Sequence, residues 1–357
     1  MSNSSLLPGI ALMLMPLFAQ AADQSGLVFS HNDWEIACDN TRICRAAGYQ
    51  SDVDELPVSV LLMRKAGPNE PVEGRLMIGD YDNEILMDSL PTVFKPSLWI
   101  NGQELGEVKV DKSTLIGQLS AAQVAALLAA LLHDSSIEWV WDKTRWHLSD
   151  KGAAAVLLKM DEFQGRLGSQ GAVIKKGRLD EKEVLPPLPL PVIVASSVVK
   201  ALPGDQTLLA ELSKSDALLK ALLTTIKDDE DCFDLLENEA PETELSVYRL
   251  TKTKLLVSAM CWRGAYNFGY GYWVIDAKPP FRPVPVTFSG SEYSDGSITA
   301  SHKGRGLGDC WSFDVWTWDG KQFVHTESSS TGMCKLLAPG GAWSLPTLVT
   351  EVHRSLR

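Results

Sequence analysis

The sequence predicts an α+β fold, in which an N-terminal β-rich module with two helices precedes an antiparallel β-rich C-terminal module that begins with a helix. Most apolar runs are short, rich in β-branched and aromatic residues, and bounded by Gly, Pro, Asn or Asp, which is typical of strands. Three longer segments instead repeat apolar residues with the 3.6-residue period of an amphipathic helix.

Residues 1–21 are expected to be a signal peptide. An apolar run at residues 10–18 is too short to span a bilayer and ends in Ala19-Gln20-Ala21, which offers the small residues that signal peptidase accepts. We expect cleavage before Ala22 and export to the periplasm. No later apolar run is long enough for a membrane span, so none is predicted.

The length of 357 residues exceeds the usual size of one hydrophobic core, so two modules are expected. The boundary falls at residues 185–192, where alternating Leu and Pro interrupts helix and central strand and favours polyproline backbone. We therefore divide the mature chain into an N-terminal α+β module (22–184), a Pro-rich linker (185–192) and a C-terminal β-rich module (193–357).

The N-terminal module is predicted to contain several strands and two helices. The strands are expected near residues 34–38, 44–49, 58–63, 74–78 and 98–100. The first helix begins at Ser120, which forms a capping box with Gln123. Its buried face is expected to contain Val124, Leu127, Leu128 and Leu131. The second helix follows Ser149-Asp150, and its expected buried face contains Ala154, Leu157, Leu158 and Phe163.

The C-terminal module is predicted to begin with one amphipathic helix that runs from a cap at Asp205 to Ile226. Candidate strands follow at residues 245–250, 254–258, 272–275 and 311–316. Asp319-Gly320 is a tight-turn dipeptide, so the last of these strands should form a hairpin with residues 323–325.

All six cysteines lie beyond the leader and form three sequence-near pairs: Cys38 with Cys44, Cys232 with Cys261, and Cys310 with Cys334. An even number of cysteines in an exported chain predicts disulfides rather than metal ligands or nucleophiles.

The chain carries 45 acidic and 33 basic residues, for a formal net charge of −12. Nucleic acids and anionic lipids attract basic surfaces, so this balance argues against both. We expect an envelope protein or a glycan as partner, and the ring-rich residues 266–272 could present a stacking face to either. No cofactor is expected, because the sequence lacks a dinucleotide fingerprint, a Walker lysine and zinc-type histidine spacing.

Glycines 304, 306 and 308 could hold an anion on backbone N–H groups beside Lys303, Arg305 and Asp309, although a turn next to Cys310 is the simpler interpretation. The acidic run at residues 228–231, with Asp234, Glu237 and Glu239, could hold a cation, but a solvated loop is simpler. Residues 80–84 alternate carboxylates, yet Ile85 stands where an EF-hand loop needs glycine and Pro91 stands where it needs the bidentate glutamate.

Two histidines are candidates for acid–base chemistry. His302 and His325 are expected on neighbouring strands, and Asp309 and Asp314 are near them in sequence. No Gly-x-Ser-x-Gly elbow accompanies them, and surface histidines are the simpler interpretation.

The segment from Ser289 to Tyr293 reads Ser-Gly-x-x-Tyr, with Gly290 second. It resembles the loop by which periplasmic lysozyme inhibitors insert a serine and a tyrosine among the catalytic carboxylates of lysozyme. An acidic protein would suit such a basic target, although a plain turn is the simpler interpretation.

Two long signatures resemble a secreted proteobacterial domain-of-unknown-function family, number 1176. They are residues 34–41 with Cys44-Arg45-Ala46 and Gly48-Tyr49, and residues 303–310 with Trp316, Trp318-Asp319-Gly320 and Phe323. The first module is also similar to the invasion-associated locus B family of exported proteins, through its strand-borne cysteines and residues 146–149. Neither resemblance implies a known reaction.

We therefore predict an exported, disulfide-bonded protein of the cell envelope and favour binding over catalysis. The alternatives are a lysozyme-type inhibitor and a hydrolase of envelope material.

Overall fold

The computed structural model describes residues 26–79, 90–91, 93–227, 231–237 and 245–354. The predicted signal peptide, the carboxylates at residues 80–84 and most of the acidic run at residues 228–231 lie outside these ranges. Within them, no helix has the length and apolar character needed to cross a bilayer.

The described residues form an α+β fold that is mostly β, as the sequence predicts. Its helices are α1 (Ala121–Ala130), α2 (Ala153–Phe163), α3 (Asp205–Leu212), α4 (Asp216–Leu223) and α5 (Phe233–Glu237). The strands up to residue 195 are β1 (Leu27–His31), β2 (Trp34–Cys38), β3 (Cys44–Tyr49), β4 (Val58–Arg64), β5 (Val72–Ile78), β6 (Ser97–Ile100), β7 (Gln103–Glu107), β8 (Ile116–Gln118), β9 (Ile137–Trp141), β10 (Thr144–Leu148) and β11 (Val192–Ala195). The later strands are β12 (Ser246–Arg249), β13 (Lys254–Arg263), β14 (Phe268–Asp276), β15 (Val284–Gly290), β16 (Glu292–Ser294), β17 (Ser297–Lys303), β18 (Trp311–Trp318), β19 (Phe323–Ser330), β20 (Leu345–Leu348) and β21 (Glu351–Arg354).

These strands form five sheets. Sheet A has the order β1-β2-β3-β4-β5-β8, and sheet B has the order β10-β9-β6-β7. Sheet C is the parallel pair β11-β21. Sheet D has the order β12-β13-β14-β15, and sheet E has the order β16-β17-β18-β19-β20. Antiparallel pairing prevails in A, B, D and E because short turns connect most neighbouring strands.

Sheet A buries both of its faces. Alternate residues of its strands point to opposite sides. One side packs with α1, α2 and sheet B in a core that includes Ile36, Ala46, Val60 and Leu76. The other side carries Ala37, Ala47, Leu61 and Met77. Burial on both sides explains why β4 is a nearly continuous apolar run instead of an alternating one.

The second face of sheet A is covered by residues 331–345, which we call the cover segment. Leu337, Ala342, Trp343 and Leu345 from this segment complete the buried cluster on that face. The predicted module boundary at residues 185–192 therefore separates two parts of the chain that share a hydrophobic cluster. The boundary itself stays a prediction.

Polar contacts fix the cover segment in one position. The Trp343 indole donates to Ser59 Oγ at 2.7 Å. The Lys335 ammonium lies 2.9 Å from Asp33 Oδ1 and 2.6 Å from Asp52 Oδ1. Gly332 has a φ of +92°, and a Cβ there would overlap the Tyr49 hydroxyl. The close approach of the segment to sheet A at this point requires glycine.

Glu35 lies between sheet A and the cover segment. Its Oε1 accepts from the Tyr49 hydroxyl at 2.6 Å and from the Met333 backbone N–H at 2.6 Å. Burial raises the pKa of Glu35, and these two hydrogen bonds oppose the rise only in part.

Sheet D is also buried on both faces. One face packs against α3, α4 and α5 through side chains of β13 and β14, namely Leu255, Val257, Trp273 and Ile275. The opposite face packs against sheet E through Leu256, Tyr272, Val274, Ile298 and Trp318. Sheets D and E therefore form a two-layer arrangement with a mixed aromatic and aliphatic interior.

Two helix predictions were wrong in detail. The single helix predicted from Asp205 to Ile226 is two helices, because the Ser215 hydroxyl accepts from the Leu218 N–H and starts α4. Gly204 is the N-cap of α3, whereas the Asp205 side chain pairs with Arg249. In α2, Ala154 is exposed, and the buried stripe instead contains Ala153, Val156, Leu157 and Met160.

The structure contains the predicted disulfides. Cys38–Cys44 joins directly opposed residues of β2 and β3, Cys232–Cys261 ties the start of α5 to β13, and Cys310–Cys334 ties the start of β18 to the cover segment. Disulfides of this kind are typical of an oxidising compartment. The last bridge fixes the cover segment to sheet E by a covalent bond.

Replacing Glu35 with Gln should change how stability depends on pH. The folded wild type holds the Glu35 proton above the ordinary pKa near 4.5, whereas the unfolded chain does not. The free energy of unfolding of the wild type should therefore fall, relative to that of Glu35→Gln, as the pH rises from about 4.5 through the raised pKa of Glu35. The fall should be about 1.4 kcal/mol for each pH unit by which the pKa is raised. Urea unfolding between pH 4 and 8 measures this difference, and parallel pH profiles would contradict it.

Candidate functional site

A cavity of about 390 Å³ opens between sheets D and E. Its lining comes from β13, β14 and β15 on one side and from β18, β19 and their connecting turn on the other. The lining residues are Lys254, Val274, Val284, Pro285, Val286, Trp316, Lys321, Gln322, Phe323 and His325. The volume lies in the range of small-molecule sites.

The walls of the cavity are apolar. Val274 and Val286 come from sheet D, and Trp316 and Phe323 come from sheet E. Residues 316 and 318 share one face of β18 because strand side chains alternate. Trp318 is fully buried in the core between the sheets. Trp316 is half-buried and lies at the boundary between this core and the cavity.

The polar residues of the lining are Lys254, Lys321, Gln322 and His325, and none of the described lining residues is acidic. Lys321 and Gln322 belong to the exposed turn between β18 and β19. The Asp319 carboxylate accepts from the Lys321 and Gln322 N–H groups at 2.7 and 2.8 Å, and Gly320 has a φ of +100°. This geometry confirms the predicted Asp-Gly hairpin and places a lysine at the opening.

His325 is held in a fixed orientation beside the cavity. Its Nε2 lies 2.9 Å from Asp314 Oδ1, and its ring stacks on Trp316 with a centroid distance of 4.8 Å and an interplanar angle of 16°. The pKa of Asp314 lies below its usual value. Burial raises it, but hydrogen bonds from His325 and Ser328 and the charges of His325 and His302 lower it by more.

In this pair the Asp314 carboxylate orients the His325 imidazole, and an imidazole oriented in this way can accept a proton. Catalysis by a nucleophile would also need an activated hydroxyl or thiol next to the imidazole. In the described part of the chain, Ser328 bonds to Asp314 rather than to His325. His302 packs against Trp262 and has Nε2 3.2 Å from the Phe268 carbonyl oxygen. The prediction that the two histidines lie on neighbouring strands was wrong, because β18 separates β17, which carries His302, from β19, which carries His325. They lie near the same carboxylate without forming a nucleophilic triad.

Lys303, Arg305 and Asp309 form internal contacts rather than an open anion cradle. Arg305 Nε donates to Asp309 Oδ1 at 2.7 Å, and Asp309 Oδ2 accepts from the Leu336 N–H at 2.8 Å. The Lys303 ammonium lies 5.4 Å from the centre of the Trp311 ring. These contacts support the turn interpretation, because they hold the loop against the cover segment.

The Ser-Gly-x-x-Tyr segment is not a protruding loop. Ser289 and Gly290 end β15, and Tyr293 belongs to β16. Gly290 is buried, and a Cβ there would overlap the Tyr272 ring. Tyr293 packs 4.9 Å from the Tyr248 ring centre and 6.3 Å from that of Phe323. The geometry does not offer a serine and a tyrosine for insertion into an enzyme cleft.

The candidate cation sites gain no support from the described residues. Asp309, Cys310 and Cys334 are the one described group whose potential ligand atoms lie within 4.8 Å of one another. The two sulfurs are bonded to each other, and Asp309 is paired with Arg305. Asp231 is exposed at the start of the segment that carries α5.

Most cavity residues were missed by the sequence reasoning. Lys254, Val274 and Phe323 were assigned to strands and Lys321 to the tight turn, but none of them to a site. Val284, Val286 and Gln322 were assigned no role. His325 was identified as a candidate for acid–base chemistry. No motif links the others, because sheet packing brings together residues that are far apart in sequence.

The fold and the cavity define a disulfide-bonded, β-rich α+β protein with a ligand-sized space between two sheets. The chain belongs to the family described as "Protein of unknown function (DUF1176)", which matches residues 28–350. It is 27% identical over 359 residues to the "Uncharacterized protein YpfG" of Escherichia coli (strain K12), covering 89% of this chain and 91% of that protein. No solved structure matches the chain. The fainter similarity to the invasion-associated locus B family stays a prediction.

Replacing Tyr293 with Ala should destabilise the protein by about 2 kcal/mol, because a half-buried ring is removed from an aromatic cluster. Tyr293→Phe keeps the ring and should cost less than about 1 kcal/mol. Urea unfolding measures both, and a lysozyme activity assay with the same proteins tests the inhibitor alternative. Lysozyme inhibition by the wild type that disappears in Tyr293→Ala at unchanged stability would contradict the packing role.

Proposed function

We propose that this chain is an exported protein of the bacterial cell envelope that acts by binding a ligand in the cavity between sheets D and E. The observation that carries the proposal is a concave, mostly apolar space with a few convergent polar groups at its opening. Such a space is the usual form of a small-molecule site in a protein.

Export to the periplasm is supported by two independent features. The expected signal peptide at residues 1–21 would direct the chain across the inner membrane. Three disulfides and the absence of free cysteines among the described residues suit the oxidising environment beyond that membrane. The ligand would then be a component of the envelope or a molecule that passes through it.

Binding accounts for the site better than catalysis does. The Asp314–His325 pair is positioned by stacking and hydrogen bonding, but the serine beside it contacts the carboxylate rather than the imidazole. A fixed histidine at the edge of an apolar cavity is well suited to hydrogen-bond the polar end of a ligand. The same residues therefore provide orientation and specificity without a reaction.

Filling the cavity should abolish binding of a small apolar probe. Val284 lines the cavity and is 60% exposed, so Val284→Trp would place an indole in the opening without disturbing the core. We expect the uncharged fluorescent probe N-phenyl-1-naphthylamine to bind the wild type and to bind Val284→Trp about tenfold more weakly, a change of about 1.4 kcal/mol. Fluorescence titration measures both dissociation constants.

The matched control is Val194→Trp on sheet C, because Val194 is 57% exposed and does not line the cavity. This variant should bind the probe as the wild type does. No probe binding by the wild type, or equal binding by the two tryptophan variants, would reject the cavity as the site.

A further inference from the structure

We infer that the ligand of this cavity is an anionic amphiphile, with a hydrocarbon body between the two sheets and a phosphate, carboxylate or sulfate head at the lysine-bearing opening. This inference rests on the proposed function and specifies the chemical class of the ligand.

The hydrocarbon body follows from the walls. Val274 is 7% exposed at the inner end of the cavity, and Val286, Trp316 and Phe323 surround the space beside it. These side chains offer no strong hydrogen-bonding group except the Trp316 indole. A polar ligand body placed among them would lose its hydrogen bonds to water without replacing them.

The anionic head follows from the charges at the opening. Lys254, Lys321 and His325 line it, and no described lining residue is acidic, although the whole chain has a net charge of −12. Lys254 does contact Asp276 at 2.7 Å, but Arg282 also contacts that carboxylate at 2.8 Å. Two cations therefore share one anion, and the group keeps a positive charge.

Two further carboxylates near the opening keep their negative charge, but hydrogen bonds hold both of them in other contacts. Asp319 accepts hydrogen bonds from the backbone of its own turn, and Asp314 bonds to His325. Neither belongs to the cavity lining. A cationic head would meet lysines at the opening, whereas an anionic head would find complementary charge and the His325 imidazole.

Displacement of N-phenyl-1-naphthylamine tests the inference with ligands that share one tail. The competitors are dodecyl phosphate, dodecyltrimethylammonium and inorganic phosphate, with both surfactants kept below their micelle concentrations at low ionic strength. We expect dodecyl phosphate to bind the wild type at least about tenfold more tightly than dodecyltrimethylammonium, and added salt to reduce the difference. Inorganic phosphate should not displace the probe, because it lacks the apolar body.

The variant Lys321→Gln removes one charge from the opening. Its matched control is Lys143→Gln, because Lys143 is an exposed lysine in the tip of another hairpin, between β9 and β10. We expect Lys321→Gln to weaken dodecyl phosphate binding about threefold or more, whereas Lys143→Gln should leave it unchanged.

The outcomes separate this inference from the proposed function. Three results would each overturn the anionic amphiphile while leaving the cavity as a binding site. They are equal affinity for the two surfactants, displacement of the probe by inorganic phosphate without a surfactant, and equal effects of the two lysine variants on dodecyl phosphate binding. Failure of the probe itself to bind the wild type would overturn the proposed function.

Discussion

The structure depends on the burial of both faces of sheet A by parts of the chain that are far apart in sequence. Helices α1 and α2 and sheet B cover one face, and the cover segment, which follows sheet E's strand β19, covers the other. Without the segment, Ala37, Ala47, Leu61 and Met77 would form an exposed apolar surface on a single sheet. The hydrophobic effect therefore favours packing of the cover segment, near the end of the chain, against sheet A, near its start.

This closure also positions the candidate site. The cover segment is bonded to the start of β18 through Cys310–Cys334, and its far end continues into β20 of sheet E. Sheet E is thus attached on one side to sheet A and packs on the other side against sheet D, where the cavity lies. Glu35, half-buried at the junction with the segment, adds a pH-dependent contribution to the same contact.

Local features and the three disulfides could be predicted from the sequence, whereas the packing of distant segments against one another could not. The capping box of Ser120 and Gln123 and the turn at Asp319-Gly320 are encoded within a few residues, so both were predicted correctly. The break before α4 was missed because apolar leucines recur on both sides of Ser215. Ser289 and Tyr293 were expected in a turn, with an inhibitor-type loop as the alternative, whereas strand pairing and ring packing determine their positions. The cavity combines residues from 254 to 325, and only the packing of two sheets brings them together.

Hydrogen–deuterium exchange of Trp343→Ala, compared with Trp343→Phe and the wild type, tests most directly whether closure of the cover segment supports both sheets. The alanine variant loses the buried ring and its hydrogen bond to Ser59. We predict faster exchange in β3 and β4 of sheet A and also in β19 and β20 of sheet E, with a smaller effect for phenylalanine. Faster exchange confined to residues 331–345 would contradict the account, because the two sheets would then be stable without the segment that joins them.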